Sequence, residues 1–341
     1  MSEVSQDSSA PAAASGTRGA GSPESTPPIA ARLPWIGASA VSQQILELAG
    51  KVAGSATTVL ITGESGTGKD QLARWIHEQG PRRDSPFMKI DCASLPPELV
   101  ESELFGHEKG AFTGAIATKP GRLEIALGGT IVLDEVAALA PGIQAKLLRV
   151  LEERTFERLG GSDLLRLNAR LIALTNADLH RAVAAGRFRE DLFFRLNVLA
   201  VEVPPLRARR DDIRLLAAHF LERLSALHGR ANLSFSDSAV LLLETYDWPG
   251  NVRELRNAIE HAIIFAVGDP LRPEDFPAIL QAARGGRSPL SGLRSLEELE
   301  RDAIRATLEA TRYKIGRAAE VLGISRKTLL EKRKKYGLLE K

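Results

Sequence analysis

A single cysteine, Cys92, stands among the 341 residues. No intramolecular disulfide can form, and a cysteine-based zinc site is not expected. One thiol fits a reducing compartment. Charge of one sign is missing too: 45 basic side chains face 43 acidic ones, and a net charge of +2 by itself names no partner. No apolar run approaches the roughly 18–20 residues that cross a bilayer. The N-terminus has no basic segment followed by an apolar one, so neither a membrane partner nor secretion is expected and the cytoplasm is the expected location. What is present, 44% apolar and 26% charged residues, is ordinary for a globular chain of two or three domains.

The first 34 residues are rich in Ser, Ala, Pro and Gly, and carry no apolar periodicity. They read as disordered. From Trp35 to Val203, short apolar runs alternate with helical patterns. Val59–Thr62, Phe87–Ile90, Thr130–Leu133 and Leu171–Leu174 read as strands. Apolar strands separated by helices predict a parallel sheet covered on both faces, an α/β domain over 35–203. Residues 204–268 read as a small all-helical subdomain, with Asp211 as one cap and Ser236 or Asp237 as another. Pro and Gly then crowd residues 269–292, a linker signature. A helical module fills 293–341.

Gly63-Glu64-Ser65-Gly66-Thr67-Gly68-Lys69 has the form G-x-x-x-x-G-K, between an apolar strand and a helix. Glycines let the backbone wrap phosphates, helix-start amides face their charge, and Lys69 reaches the β and γ phosphates. Position 70 is Asp rather than Ser or Thr, so Asp70 brings no hydroxyl to a Mg²⁺ ion, which must be held differently. Downstream, Ile131-Val132-Leu133-Asp134-Glu135 has the Walker B form. Asp134 can hold Mg²⁺, and Glu135 can polarise an attacking water. Alone, that acidic pair reads equally as a helix cap; the P-loop upstream favours the site. Adjacent carboxylates point to nucleotide hydrolysis.

Between these motifs lies Gly110-Ala111-Phe112-Thr113-Gly114-Ala115, inside the longer run Glu101 to Ala115. Further segments are Gly128–Glu135, Gly186–Asn197, Pro204–Arg207 and Trp248–Leu255. Together they resemble the AAA+ activators of sigma-54 RNA polymerase, the bacterial enhancer-binding proteins, over roughly residues 35–341. The resemblance implies a ring, usually a hexamer, with ATP between subunits. It implies that Arg189 and Arg195 are arginine fingers, although the residues alone read as two surface arginines with Asp191 paired to Arg195. It places Thr175-Asn176 at sensor I, Arg253 at sensor II, and Ile36 with Gly37 at the adenine pocket. The hexapeptide around Phe112 becomes the loop that meets sigma-54 and remodels the closed promoter complex on hydrolysis; its alternative is a Gly-rich hairpin with Phe112 tucked inward. Asp91 departs from the family's usual Asn, whose amide holds the catalytic Glu. An ionised carboxylate cannot donate that bond, and two close carboxylates would repel or share a proton.

The C-terminal stretch concentrates positive charge: Arg312, Lys314, Arg317, Arg326, Lys327, Lys332, Arg333, Lys334, Lys335 and Lys341 outnumber Glu320, Glu331 and Glu340. A helix over Ile315–Leu322, a turn at Gly323, and a basic helix over Arg326–Tyr336 capped by Ser325 follow the helix-turn-helix plan. The module resembles the Fis-type helix-turn-helix of the same family. Arg326, Lys327 and Thr328 are then expected at the groove of double-stranded DNA, with Lys332, Lys334 and Lys335 on phosphates. A helix over Leu296–Thr311 is expected either to dimerise or to pack under the other two.

These readings converge on a sigma-54-dependent activator that binds enhancer DNA and uses ATP and Mg²⁺. Residues before Trp35 are too few for a receiver, GAF or PAS domain. The expectation is control by a protein in trans, by co-assembly or by expression level. Two rivals are a DNA-binding regulator whose ATPase no longer drives polymerase, and a different AAA+ machine.

Overall fold

The computed structural model describes residues 35–126, 128–230, 232–278 and 280, residues 301, 304, 305, 307, 308 and 311, and 313–336. The disorder expected for residues 1–34 and most of the linker expected over 269–292 lie outside the described residues. So do Leu296, Leu299 and Ala303 of the expected third helix.

The described chain begins with α1 (Ala40–Ala53), β1 (Val59–Thr62), α2 (Lys69–Glu78), β2 (Phe87–Asp91) and α3 (Pro97–Phe105). A short hairpin, β3 (Gly106–His107) with β4 (Lys119–Pro120), leads to α4 (Arg122–Ile125), β5 (Thr130–Asp134) and α5 (Pro141–Glu153). A second, β6 (Thr155–Phe156) with β7 (Leu165–Arg166), precedes β8 (Arg170–Thr175), α6 (Leu179–Ala184), α7 (Glu190–Leu196) and β9 (Leu199–Glu202).

The central sheet is parallel, in the order β2-β5-β8-β1-β9. Successive side chains of a strand point to opposite faces, and the two cores obey that alternation. Leu60, Ile131, Leu133, Leu171 and Ala173 face α3, α5 and α7. Val59, Ile61, Val132, Ile172 and Leu174 face α1 and α2. The four expected strands are present. The fifth, β9, escaped the sequence reading because Leu199-Ala200-Val201-Glu202 carries few large apolar side chains and only Val201 is buried.

Three longer helices follow: α8 (Asp211–Leu227), α9 (Asp237–Thr245) and α10 (Asn251–Phe265). They pack around Trp248, Leu255, Ile259 and Phe220. Ser236 caps α9 by accepting from the Ala239 N–H at 3.2 Å. Asp211 does not cap α8. It is the first helical residue, and Arg210 before it already has helical angles, φ −60° and ψ −30°. Arg209, at φ −136° and ψ 56°, separates the tight turn over Leu206–Ala208 from the helix, so Asp211 lies inside the helix and not at its N-cap.

At the C-terminal end, α11 (Ile315–Val321) and α12 (Arg326–Lys335) enclose a small core of Ala318, Ala319 and Leu329, with Ile304 and Leu308 buried against it. Gly323 turns the chain at φ +65°, and the Ser325 side chain accepts from the Thr328 N–H at 3.0 Å. Leu308 thus packs under the two helices, one of the two roles expected for its segment.

Candidate active site

In a parallel sheet, ligands gather beyond the carboxyl ends of the strands, where the strand order reverses. Here β1 pairs with β8 on one side and β9 on the other, with Thr62 level with Thr175 and Glu202. The loop after β1, Asp134 and Glu135 after β5, and Asn176 after β8 therefore meet at one end. The helical subdomain closes over them.

The P-loop is clamped between the two subdomains. A Cβ on Gly66 would collide with the Gly250 carbonyl, so only glycine fits its φ of +78° there. The Val252 N–H donates to the Gly66 carbonyl at 2.9 Å. Asn251, fully buried, donates to Glu64 Oε2 at 3.1 Å and to the Ser65 carbonyl at 3.0 Å, while its Oδ1 accepts from the Leu206 N–H. Arg207 grips Glu64 with two bonds of 2.9 and 2.5 Å. Arg207 and Asn251 together hold the Glu64 carboxyl down to about 2. Arg253, at the start of α10, donates to Ser65 Oγ at 2.9 Å. Arg209 donates to the Thr67 carbonyl at 2.5 Å and lies 5.2 Å from the Trp35 ring centre.

Lys69 is buried. Its Nζ donates to the Gly63 and Glu64 carbonyls at 2.8 and 3.1 Å. Burial pushes its pKa below the ordinary lysine value, against the pull of Glu135, Asp134 and Asp70. Across the site, Lys89 Nζ lies 2.7 Å from both Asp70 Oδ1 and Asp134 Oδ2. Burial lowers the Lys89 pKa, but the two carboxylates outweigh it and the net shift is upward. Glu135 has φ +54°, and its Oε2 accepts from the Asn176 backbone N–H at 3.1 Å.

Asp91 is level with Asp134 in the sheet. Oδ1 accepts from the Ala93 and Ser94 N–H groups at 3.0 and 3.2 Å. The loop after β2 thus gives the Asp91 carboxylate two backbone donors of its own.

A cavity beside the P-loop is lined by Trp35, Ile36, Gly68, Leu216, Phe220 and Val252. Trp35 Nε1, Gln71 Oε1 and His219 Nε2 also border it, and each is buried without a hydrogen-bond partner. A flat apolar slot with a few unsatisfied polar atoms fits a nucleotide base. The metal can be tested in the same way. Two carboxylate oxygens on different elements converge on one ammonium, a donor set that fits a hard divalent cation completed by phosphate oxygens. Among the described residues no cluster of three or more His, Cys, Asp or Glu could hold a metal unaided.

Arg189 and Arg195 both sit on the surface around α7. Arg189 is paired with Asp191 through bonds of 3.0 and 2.7 Å, and its N–H donates to Gln144 Oε1. Arg195 donates to the Leu151 carbonyl at 2.9 Å. Asp191 therefore pairs with Arg189, not with Arg195 as the spacing alone had indicated.

The segment Gly110–Ala115 is the tip of the β3–β4 hairpin. Gly110 N–H donates to the Ala115 carbonyl at 2.9 Å, and Ala115 N–H to the Phe112 carbonyl at 3.0 Å. Phe112 is 43% exposed, with its ring edge on His107, 5.0 Å between centroids. It is neither free in solvent nor tucked into the core. Arg158, from the second hairpin, binds Glu108 at 2.7 Å and Glu124 through two bonds, fastening the base of the tip.

In the C-terminal module Arg326 and Lys327 are exposed at the start of α12, and the Arg326 guanidinium lies over Gly316. Thr328 and Lys332 are half-buried on the same helix. Lys341 lies outside the described residues.

Sequence reasoning missed Lys89, Arg209, Gln71 and His219. A lysine inside an otherwise apolar strand was the one available signal for Lys89. The others acquire meaning only when helix and loop are brought together.

Profiles of known families match along the chain: the Sigma-54 interaction domain over residues 35–202, the AAA+ ATPase lid domain over 207–291, and the bacterial regulatory protein, Fis family, over 295–336. The transcriptional regulatory protein ZraR of Escherichia coli is 45% identical over 303 residues, 89% of this chain and 69% of ZraR. The nitrogen fixation protein AnfA of Azotobacter vinelandii is 44% identical over 305 residues, 89% of this chain and 57% of AnfA. Among solved structures, NtrX from Brucella abortus in complex with ADP superposes with a TM-score of 0.71 at 34% identity, covering 89% of this chain and 69% of NtrX. NtrX has also been solved in complex with ATP, at a TM-score of 0.71 and 36% identity. Among the described residues no helix is long and apolar enough to cross a membrane. The chain belongs to the sigma-54-dependent transcriptional activators, an AAA+ ATPase joined to a Fis-type DNA-binding helix-turn-helix.

Proposed function

We propose that this activator hydrolyses ATP between the subunits of a ring and couples hydrolysis to opening of sigma-54 promoters through the loop around Phe112. The observation that carries the reading is the position of that loop. A half-exposed Phe112 sits at the tip of a hairpin that joins α3, below β2, to α4, which leads into the Walker B strand β5.

In this reading the base lies beside Ile36, and the loop Gly63-Glu64-Ser65-Gly66-Thr67-Gly68 wraps the phosphates with its amides. Lys69 exchanges its two loop carbonyls for phosphate oxygens, which lets a buried ammonium keep its charge. Asp134, with Asp70 beside it, would hold Mg²⁺, which would supply positive charge against the phosphates. Glu135 orients the attacking water and takes up its proton. Asn176 reports the γ-phosphate to Glu135, whose carboxylate its backbone already holds. Arg253 follows the phosphates from the lid. Arg189 and Arg195 belong to the neighbouring subunit's site, and Arg189 leaves Asp191 to reach it. Gly110, Ala111, Phe112, Thr113, Gly114 and Ala115 contact sigma-54 in the polymerase. Arg326, Lys327 and Thr328 read enhancer DNA and Lys332 holds phosphate. The division at 35–203, 204–268 and 293–341, a hexameric ring, a cytoplasmic location and control in trans complete the proposal.

The test is conversion of a sigma-54 holoenzyme–promoter closed complex to the open form with ATP, comparing wild type with Phe112→Ala. Open complex should form with wild type and be lost in the variant, with ATPase activity retained. ATP hydrolysis by wild type without promoter opening, its own enhancer present, would favour a different remodelling machine.

A further inference from the structure

Lys89 has no part in the mechanism above. It belongs to the edge strand β2, and its Nζ is 2.7 Å from Asp70 Oδ1 on α2 and 2.7 Å from Asp134 Oδ2 at the end of β5. An ion pair between exposed side chains would contribute little. This one differs in its acceptor. The Asp134 side chain is only 16% exposed, and it is the carboxylate best placed to hold a metal. The two oxygens define one cation position, and an ammonium already belongs to it. Lys69, the P-loop cation, is turned to the Gly63 and Glu64 carbonyls and does not share this task.

Two cations cannot use the same carboxylate oxygens at full strength. A divalent ion approaching Asp134 within coordination distance meets the Lys89 charge a few ångströms away, and that repulsion is strong where water is scarce. We propose that Lys89 competes with the divalent cation for Asp70 and Asp134, so that metal reaches the site only by displacing the Lys89 ammonium. The inference rests on the reading of this pocket as a nucleotide and metal site. Its consequence is a built-in metal threshold: below it the carboxylates stay neutralised by the protein's own side chain, and above it the side chain is released.

The experiment is a Mg²⁺ titration of the full chain at a fixed concentration of fluorescently labelled ADP, followed by anisotropy, for wild type, Lys89→Met and Lys89→Arg. Removing the competitor should lower the Mg²⁺ midpoint of Lys89→Met roughly fivefold, while Lys89→Arg, which keeps the charge, stays near wild type. Without nucleotide, Mg²⁺ should raise the Tm of Lys89→Met more than that of wild type. An unchanged or higher midpoint in a folded Lys89→Met protein overturns the proposal and leaves the nucleotide reading intact. Should Lys89→Met not fold, Lys89→Gln carries the same test. If wild type binds no ADP at any Mg²⁺ concentration, the nucleotide reading falls and the proposal with it.

Discussion

Asp91 shows how far a single atom's exchange can be absorbed. A carboxylate at a position suited to an amide has two ways to avoid Glu135: take a proton, or find other donors. The turn after β2 supplies two backbone N–H groups, so the charge is satisfied locally. Burial works the other way on His77 of α2. It is 5% exposed, its Nδ1 lies 2.9 Å from Thr130 Oγ1, and burial pushes its pKa below the ordinary histidine value. The folded state therefore holds the ring neutral, while the unfolded chain takes up a proton near about pH 6.5. Where the unfolded state binds more protons, stability rises with pH. The His77 contribution is complete above about pH 6.5 and is lost as pH falls toward the lowered folded value. Thermal unfolding from roughly pH 7.5 to 5.5 should show a falling Tm in wild type and a shallower fall in His77→Gln. Parallel profiles would assign the dependence to other groups. Cys92, buried with its thiol pushed up to about 12, is not a nucleophile at neutral pH.

Between elements, the contacts are polar where the two subdomains meet. Asp212 of α8 is fully buried and accepts from the Ala38 and Ser39 N–H groups at 2.8 Å each, and from the Ser39 and Ser42 hydroxyls. It thus joins the segment leading into α1 to the lid, next to Ile36. Arg209, also buried, is its distant partner at 4.0 Å and is tied to the P-loop. Removing the carboxylate leaves four donors without their acceptor and a buried guanidinium without its counter-charge. Asp212→Ala should cost about 3 kcal/mol of stability, read by chemical denaturation, and should weaken ADP binding because Ile36 and Thr67 lose their common support. A loss under about 1 kcal/mol would mean that water replaces the carboxylate. The same logic explains the hairpin tip: Arg158 fixes its base to α4 and to the second hairpin, while Gly110 and Gly114, at φ +86° and +111°, have open space around them.

At the scale of the whole molecule, Arg189 bonds to Asp191 and Gln144 and Arg195 to the Leu151 carbonyl, and the proposed reading has both arginines complete a neighbour's site. A finger in trans predicts complementation. Arg189→Ala and Glu135→Gln should each be nearly inactive in ATP hydrolysis. Mixed before assembly, they should regain activity, since in a head-to-tail ring about one interface in four combines an intact Glu135 with an intact Arg189. No recovery on mixing would place Arg189 in its own subunit's chemistry. The experiment is a steady-state ATPase assay across mixing ratios.

The order of strands and helices was legible because continuous apolar runs and glycine punctuation are local signals. The P-loop, Asp134-Glu135, the hexapeptide around Phe112 and the basic final helix were legible for the same reason, each being a contiguous motif. The edge strand β9 was not, since Ala200 and Glu202 interrupt its apolar run and leave little pattern. Nor was the pairing of Asp191, which two arginines at different spacings could claim and backbone direction decided for Arg189. Sequence by itself determined which chemistry the chain carries. Only the tertiary structure decided which distant groups share that chemistry: Lys89 between Asp70 and Asp134, Asn251 and Arg207 on Glu64, and Asp212 under the nucleotide pocket. The physical reason is that charges and polar groups pair with whatever partner the fold brings beside them, and the distance along the chain carries no record of that meeting.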